Sequence, residues 1–260
     1  MNYKNQNNKQ YKERKKPKNL IYGVHPILEA INSDKQIEKI FISRDTTTPQ
    51  IKEIWQLARA KQIYIQKVPT AKLQSLTNGN HQGVAAFLSL IEYQDIEEIL
   101  MKTFEEGKNP FVLVLDRITD VRNFGAIART AECGGVDCII VPSQGSAMIN
   151  SDSIKTSAGA LNRIPIHRSH NLKTTLNYLK SSGLTIYALT EHAEDSYYDV
   201  NFNKPVAIIL GSEEDGISPE YLKICDSEIK IPMVGNISSL NVSVAAGIII
   251  FASVKQRQNI

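Results

Sequence analysis

Phe111-Val112-Leu113-Val114-Leu115 runs directly into Asp116-Arg117-Ile118-Thr119-Asp120-Val121-Arg122-Asn123-Phe124-Gly125-Ala126-Ile127-Ala128-Arg129, and this stretch decides the fold. An unbroken run of β-forming apolar residues describes a strand covered on both faces, as in a mainly parallel sheet with helices on each side. Similar short runs recur at Cys138–Val141, Ile186–Leu189, Val206–Leu210 and Ile229–Ile231. Helical stretches fit among them at Gly125–Glu132, Leu172–Ser181 and Val242–Val254. The expected class is therefore α/β.

In open α/β sheets ligands bind beyond the carboxyl ends of the strands, and three of those ends are unusual here. After the first strand, Asn123 and Gly125 read as a loop turning into a helix, with Arg129 about one turn inside it. Taken alone, that segment reads equally as a capped helix bearing a solvated arginine. After Val206–Leu210 comes Gly211-Ser212-Glu213-Glu214-Asp215-Gly216-Ile217-Ser218. The glycines let backbone pass close to a ligand, and the acids would repel phosphates; this is neither a Walker loop nor a dinucleotide fingerprint. A ribose-bearing or cationic ligand suits it better, although a plain acidic turn is also compatible. After Ile231 come Pro232-Met233-Val234-Gly235-Asn236-Ile237-Ser238-Ser239-Leu240-Asn241-Val242-Ser243. Ser238 or Ser239 is a candidate cap for the apolar helix that follows, while Asn241 and Ser243 suit a buried first turn only if they meet something polar.

Before this sheet, residues from Leu20 to Tyr93 alternate short helices and strands. Ile51, Ile54, Trp55 and Ala58 form the apolar stripe of an amphipathic helix. Strands are expected at Lys39–Ser43, Gln62–Gln66 and Val84–Leu90, and Pro26 suits a helical first turn. The expected organisation is a basic tail over 1–18, a small α/β domain over 19–93, a charged linker helix over 94–109 and the larger domain over 110–260.

The 260 residues are 42% hydrophobic and 22% charged, which supports a sizeable core and excludes a wholly disordered chain or a coiled coil. The mostly apolar stretch from Val244 to Val254 is shorter than the ~20 residues that span a bilayer. The first apolar cluster arrives only at Leu20, so no signal peptide is visible. A soluble, cytoplasmic protein without membrane contact is expected. Cys133, Cys138 and Cys225 form no Cys-x-x-Cys pair and read as packing residues, and the five histidines lack ligand spacing, so neither a disulfide framework nor a metal site is expected. Net charge is +3. Residues 1–18 carry seven basic side chains against Glu13, a net of +6, so the remainder is net negative at −3. Such a tail suits contact with a phosphate backbone or serves as a solubilising leader.

At the strand-end motifs the chain resembles the SpoU (TrmH) family of RNA ribose 2′-O-methyltransferases, within the SPOUT class. The first motif is matched by Asn123-Phe124-Gly125-Ala126-Ile127-Ala128-Arg129 and the second by Ile209-Leu210-Gly211-Ser212-Glu213. The third is matched by Ile231-Pro232-Met233 with Ser239-Leu240-Asn241-Val242-Ser243-Val244-Ala245, and Ser157-Ala158-Gly159-Ala160 resembles an inter-motif segment. Through Tyr22-Gly23-Val24-His25-Pro26 and His81-Gln82-Gly83-Val84 the first unit is similar to the L30e-like RNA substrate-binding domain of some members. That arrangement is most similar to members methylating a guanosine in the peptidyl-transferase P loop of 23S rRNA; others act on tRNA or other rRNA sites.

The resemblance implies a C-terminal trefoil knot, S-adenosylmethionine as cofactor, RNA as partner, and a homodimer that completes the active site. It implies cofactor contacts at Gly211, Ile231 and Leu240, and catalytic or RNA-facing places for Asn123, Arg129, Glu213, Ser239 and Asn241. Arg129 fits an electrostatic stabiliser and phosphate anchor better than a base, because a guanidinium rarely gives up its proton. The rivals are a non-catalytic RNA-binding assembly factor and a base methyltransferase of the wider class. A nicotinamide dehydrogenase is more remote, since no glycine-rich dinucleotide loop follows the first strand.

Overall fold

The computed structural model describes residues 19–258, so the basic tail expected at 1–18 lies outside the described residues. The chain divides after Leu88 into two units. The first contains β1 (Leu20–Tyr22), α1 (Val24–Asn32), β2 (Ile37–Ser43), α2 (Pro49–Ala60), β3 (Ile65–Val68), α3 (Thr70–Leu76) and β4 (Val84–Leu88). Its sheet runs β1-β4-β2-β3, antiparallel except for the β2–β3 pair. Thr48 caps α2 by accepting the Ile51 N–H at 3.3 Å, and Pro49 fills the first turn. The stripe of α2 is buried through Ile51, Ile54 and Ala58 against Ile27, Ile31, Ile40 and Ile42. The strand expected at Gln62–Gln66 begins only at Ile65. Gln62 instead adopts φ 56, and Ile63 donates back to the Ala58 carbonyl, so these residues terminate α2.

The second unit contains α4 (Ile96–Glu105), β5 (Phe111–Leu115), α5 (Val121–Cys133), β6 (Cys138–Pro142), α6 (Ser151–Thr156), β7 (Ile166–Ser169), α7 (Leu172–Ser181), β8 (Thr185–Leu189), β9 (Asp195–Ser196), β10 (Val206–Leu210), α8 (Pro219–Leu222), β11 (Ser227–Lys230) and α9 (Val242–Arg257). All strand pairs of the sheet β7-β6-β5-β10-β8-β11-β9 are parallel. Alternate residues of β5 face opposite layers. Leu113 and Leu115 join Phe124, Ile127, Ile249 and Ile250, whereas Val112 and Val114 join Ile99, Leu100, Leu176 and Leu179. Two covered faces explain why these strands show no polar alternation.

The stretch expected to link the units is part of this second layer. Asp95 caps α4 by accepting the Glu97 N–H at 2.8 Å, and Ile96, Ile99 and Leu100 are buried. Just before it, Tyr93 bridges Ile166 and Gln94 donates to the Ile166 carbonyl at 2.9 Å, covering the β7 edge. At the starts of the central strands β5 and β10, Arg257 in the last turn of α9 donates to the carbonyls of Asn109, Pro110 and Lys204. Its guanidinium lies 5.2 Å from the centroid of the Phe111 ring. Among the described residues no helix is long and apolar enough to cross a membrane.

Candidate active site

The sheet changes direction at its centre: from β5 the chain proceeds outward to β6 and β7, then returns to place β10 on the other side. The crevice beyond β5 and β10 is therefore where a ligand is expected. Three segments converge there. The first is α5, which starts earlier than the position of Gly125 suggests. Asp120 accepts the N–H groups of Arg122 and Asn123 at 2.6 and 3.2 Å, so Asn123 lies in the first helical turn. Gly125 is helical, and a side chain is excluded there because α6 packs against it; a Cβ would meet the Thr156 Cβ at 2.8 Å.

The second segment is the acidic loop after β10. Ser212 and Gly216 exchange backbone hydrogen bonds at 3.1 and 3.0 Å, closing a tight turn over Gly211. A Cβ at Gly211 would lie 2.2 Å from the Gly216 carbonyl carbon and 2.4 Å from its oxygen. The third segment is the start of α9, whose cap is Asn241 rather than Ser238 or Ser239. Asn241 Oδ1 accepts the Ser243 N–H at 3.0 Å, leaving its amide free to turn across to the other loops.

Those side chains meet. Glu213 Oε1 accepts from Asn241 Nδ2 at 2.7 Å and from Asn123 Nδ2 at 3.1 Å, and Asn241 Nδ2 also donates to Asn123 Oδ1 at 3.0 Å. Asn123, 90 and 118 positions from the other two, thus forms one polar triangle with Glu213 and Asn241, each tied to a different strand end. Arg129, six positions past Asn123, is exposed and does not join it. Six helical residues advance about 9 Å along the axis and emerge on another face.

Beside the triangle opens a cavity of about 600 Å³, within the ordinary span for a small-molecule site. Gly211, Ile231 and Leu240 line it, as do Glu213, Ser239 and Asn241; Asn123 and Arg129 do not. Its lining includes apolar side chains (Leu189, Ile217, Leu222, Ile231, Leu240 and Ala245) and acidic ones (Glu191, Glu213, Asp215 and Glu228). That composition fits a ligand with a flat apolar ring system, hydroxyls and positive charge, and disfavours a polyphosphate. Leu189, the last residue of β8, and Thr190 just after it carry no motif, although the strand-end argument applies to them equally.

A second interaction holds the acidic loop. Asp116, almost completely buried, accepts from Arg117 Nε and Nη2, each at 3.1 Å, and from the Ser218 N–H at 2.7 Å. The hydrogen bonds and charge of Asp116 raise the already high pKa of Arg117. Among the cysteines, Cys138 is buried and Cys225 half-buried, its thiol pushed up to about 12 chiefly by desolvation, whereas Cys133 is exposed. The described residues contain no cluster of three His, Cys, Asp or Glu side chains suited to a metal.

Comparison with known proteins gives this geometry a context. Residues 110–251 match the SpoU rRNA Methylase family, and residues 20–94 match the RNA 2′-O ribose methyltransferase substrate binding domain. A relative from Staphylococcus epidermidis, assigned to the TrmH family of tRNA/rRNA methyltransferases, is 36% identical over 241 residues, covering 93% of this chain and 97% of its own. The SpoU methyltransferase AviRb from Streptomyces viridochromogenes, solved with AdoMet, superposes with a TM-score of 0.59 at 24% identity, covering 92% of this chain and 90% of that one. The A. aeolicus TrmH/SpoU tRNA modifying enzyme gives a TM-score of 0.54 at 31% identity, covering 63% of this chain and 84% of its own.

Proposed function

The chain belongs to the SpoU rRNA methylase family, and from that premise we propose that it methylates a ribose 2′-hydroxyl of RNA using S-adenosylmethionine. The observation that carries the reading is the triangle of Asn123, Glu213 and Asn241 at the wall of a cavity suited to that donor. The apolar wall fits the adenine, the backbone around Gly211 gives a close edge, and the acids favour a sulfonium over a phosphate. When bound, S-adenosylmethionine supplies an electrophilic methyl group.

The remaining work falls to the chain. The obstacle is a poorly acidic ribose hydroxyl, which must be aligned with the methyl carbon while negative charge develops on its oxygen. Glu213, held by two amide donors, fixes the relative positions of α5, the acidic loop and α9. Arg129 supplies positive charge for an RNA phosphate and the developing alkoxide, with water or another group accepting the proton. Because Arg129 stands apart from the triangle in its own protomer, the reading includes a homodimer in which each Arg129 serves the partner's cavity. The composition of α9 supports that assembly. Val244 and Phe251 on its outer face are 51% and 50% exposed, while Ile249 and Ile250 are buried on the inner one. The trefoil knot belongs to the same reading, its loops being the segments that wall the cavity.

The proposed substrate is 23S rRNA, at a guanosine of the peptidyl-transferase P loop, with the first unit gripping structured RNA and the protein acting in the cytoplasm. The presence of that substrate-binding unit ahead of the methylase domain supports it. A tRNA target is the second reading, favoured by the A. aeolicus relative, a tRNA modifying enzyme. Incubation with labelled S-adenosylmethionine and RNA from cells lacking the gene, followed by nucleoside digestion and primer extension, separates these. Label in 2′-O-methylguanosine at one large-subunit site, lost in Arg129→Ala, is the expected result. Label on tRNA moves the target, label on a base refutes ribose chemistry, and no transfer to any RNA despite cofactor binding points to a non-catalytic assembly factor.

A further inference from the structure

We propose that Arg117 is a positioning residue that straps the acidic loop 211–218 to the end of β5 and thereby sets the affinity of the cavity for S-adenosylmethionine. The inference rests on the cavity assignment above. Arg117 has φ 58, a left-handed conformation uncommon for a long side chain and maintained where surrounding contacts over-determine it. Those contacts are present. Through Nε and Nη2 the guanidinium grips both oxygens of Asp116, Nη1 reaches Asp215 at 3.1 Å, and Nη2 also donates to the Gly216 carbonyl at 3.0 Å.

Asp116 meanwhile accepts the Ser218 N–H, so both ends of the turn at Gly216 return to one charge pair. The two partners differ in weight. Asp215 is 71% exposed, and an ion pair there is largely screened. The Asp116 side chain is only 2% exposed, and without its counterion the buried carboxylate would retain just the Ser218 amide. The fork to Asp116 and the Gly216 carbonyl is therefore the strap. It constrains the loop that also carries Gly211 and Glu213, which wall the cavity. Lysine cannot reproduce it, because one ammonium lacks the planar fork.

Arg117→Gly removes the strap while accepting the left-handed backbone, and Arg117→Asn, which also tolerates that conformation without glycine's extra freedom, should reproduce its effect. Two measurements on the full chain read it: amide hydrogen exchange of residues 212–218 without ligand, and calorimetric affinity for S-adenosylhomocysteine. Arg117→Gly is expected to speed loop exchange while β5 stays protected, and to weaken affinity about 5- to 20-fold, within the usual span of coupling energies. Arg117→Lys should recover only part of the loss, because one ammonium cannot span both Asp116 oxygens and the Gly216 carbonyl. Wild-type exchange in Arg117→Gly, or faster exchange with unchanged affinity, overturns the proposal; so does full rescue by lysine. If the wild-type protein fails to bind S-adenosylhomocysteine, the cavity assignment falls instead. The ligand-free exchange then still decides whether Arg117 orders the loop.

Discussion

Replacing Gly211 by alanine tests whether the turn over the cavity is as tight as its hydrogen bonds imply. The added Cβ would stand 2.2 Å from the Gly216 carbonyl carbon and 2.4 Å from the Ile217 nitrogen, where ordinary contact begins at 3.4 Å. The obstructing atoms are backbone, so no side-chain rotation relieves the clash, and the loop must move by more than about 1 Å. Overpacking of this kind costs about 1–3 kcal/mol. For a unit of this size that lowers the melting temperature by roughly 2–12 °C. The functional cost should be larger, because a displacement of about 1 Å at a reacting site can remove about 10²-fold in rate. Gly235→Ala is the matched control, since nothing lies within 4 Å of its Cβ position. Calorimetry with S-adenosylhomocysteine and single-turnover methylation of RNA would be run on both variants beside wild type. A Gly211→Ala protein that melts, binds and turns over like Gly235→Ala would refute the argument from the tight turn.

Three other outcomes follow from the same geometry. Asn241→Ala removes the α9 cap together with a donor to Glu213, so it should lose about 1 kcal/mol of stability as well as activity; Asn241→Asp should retain the cap while still losing activity, and equal activity in both variants and wild type would exclude the triangle from catalysis. If Arg129 acts across a dimer, refolding inactive Arg129→Ala and Glu213→Ala chains together should restore about a quarter of wild-type turnover, because half the dimers then carry one intact site; no recovery in a dimer shown to exchange subunits would return Arg129 to its own protomer. Burial holds His167 and His170 below their ordinary value of 6.5, and the charge of Arg168 adds to the effect at His170. As pH falls through that value the unfolded chain takes up protons first, so stability is present above it and lost below. A melting temperature that falls from about pH 7 to about pH 5, with a smaller fall in His167→Gln/His170→Gln, is the expected calorimetric result; an identical fall in the double variant would assign it to other groups.

The central strands were legible because burial on both faces imposes a composition that little else requires: Phe111–Leu115 and Val206–Leu210 are strands over their full expected lengths. The edge strand β7 was not, since Ile166-His167-Arg168-Ser169 contains one aliphatic residue and depends on its neighbour for pairing. Glycine misled at one position. Gly125 looked like a loop residue but is helical, and it is glycine because of the close approach of α6. Around the cavity, motifs identified Asn123, Glu213 and Asn241 as candidates, but not that their amides and carboxylate share one triangle, because spatial pairing across 28 to 118 positions leaves no local trace. Arg117 was invisible as a functional candidate for a related reason. Its left-handed backbone and its partners Asp215 and Gly216 emerge only after the strands are set side by side.

The anchoring of Arg257 bears on how the second unit is made. Its bond to the Asn109 carbonyl joins positions 148 residues apart, and those to Pro110 and Lys204 bring the last turn of α9 to the starts of β5 and β10. A contact of such sequence separation carries a large loop-closure entropy and is expected to form late. During N-to-C synthesis the two central strands exist well before α9 can cover their shared face. Until then Leu113, Leu115 and Ile208 lack the cover of Ile249 and Ile250, and that interval is when the nascent protein most exposes aggregation-prone surface.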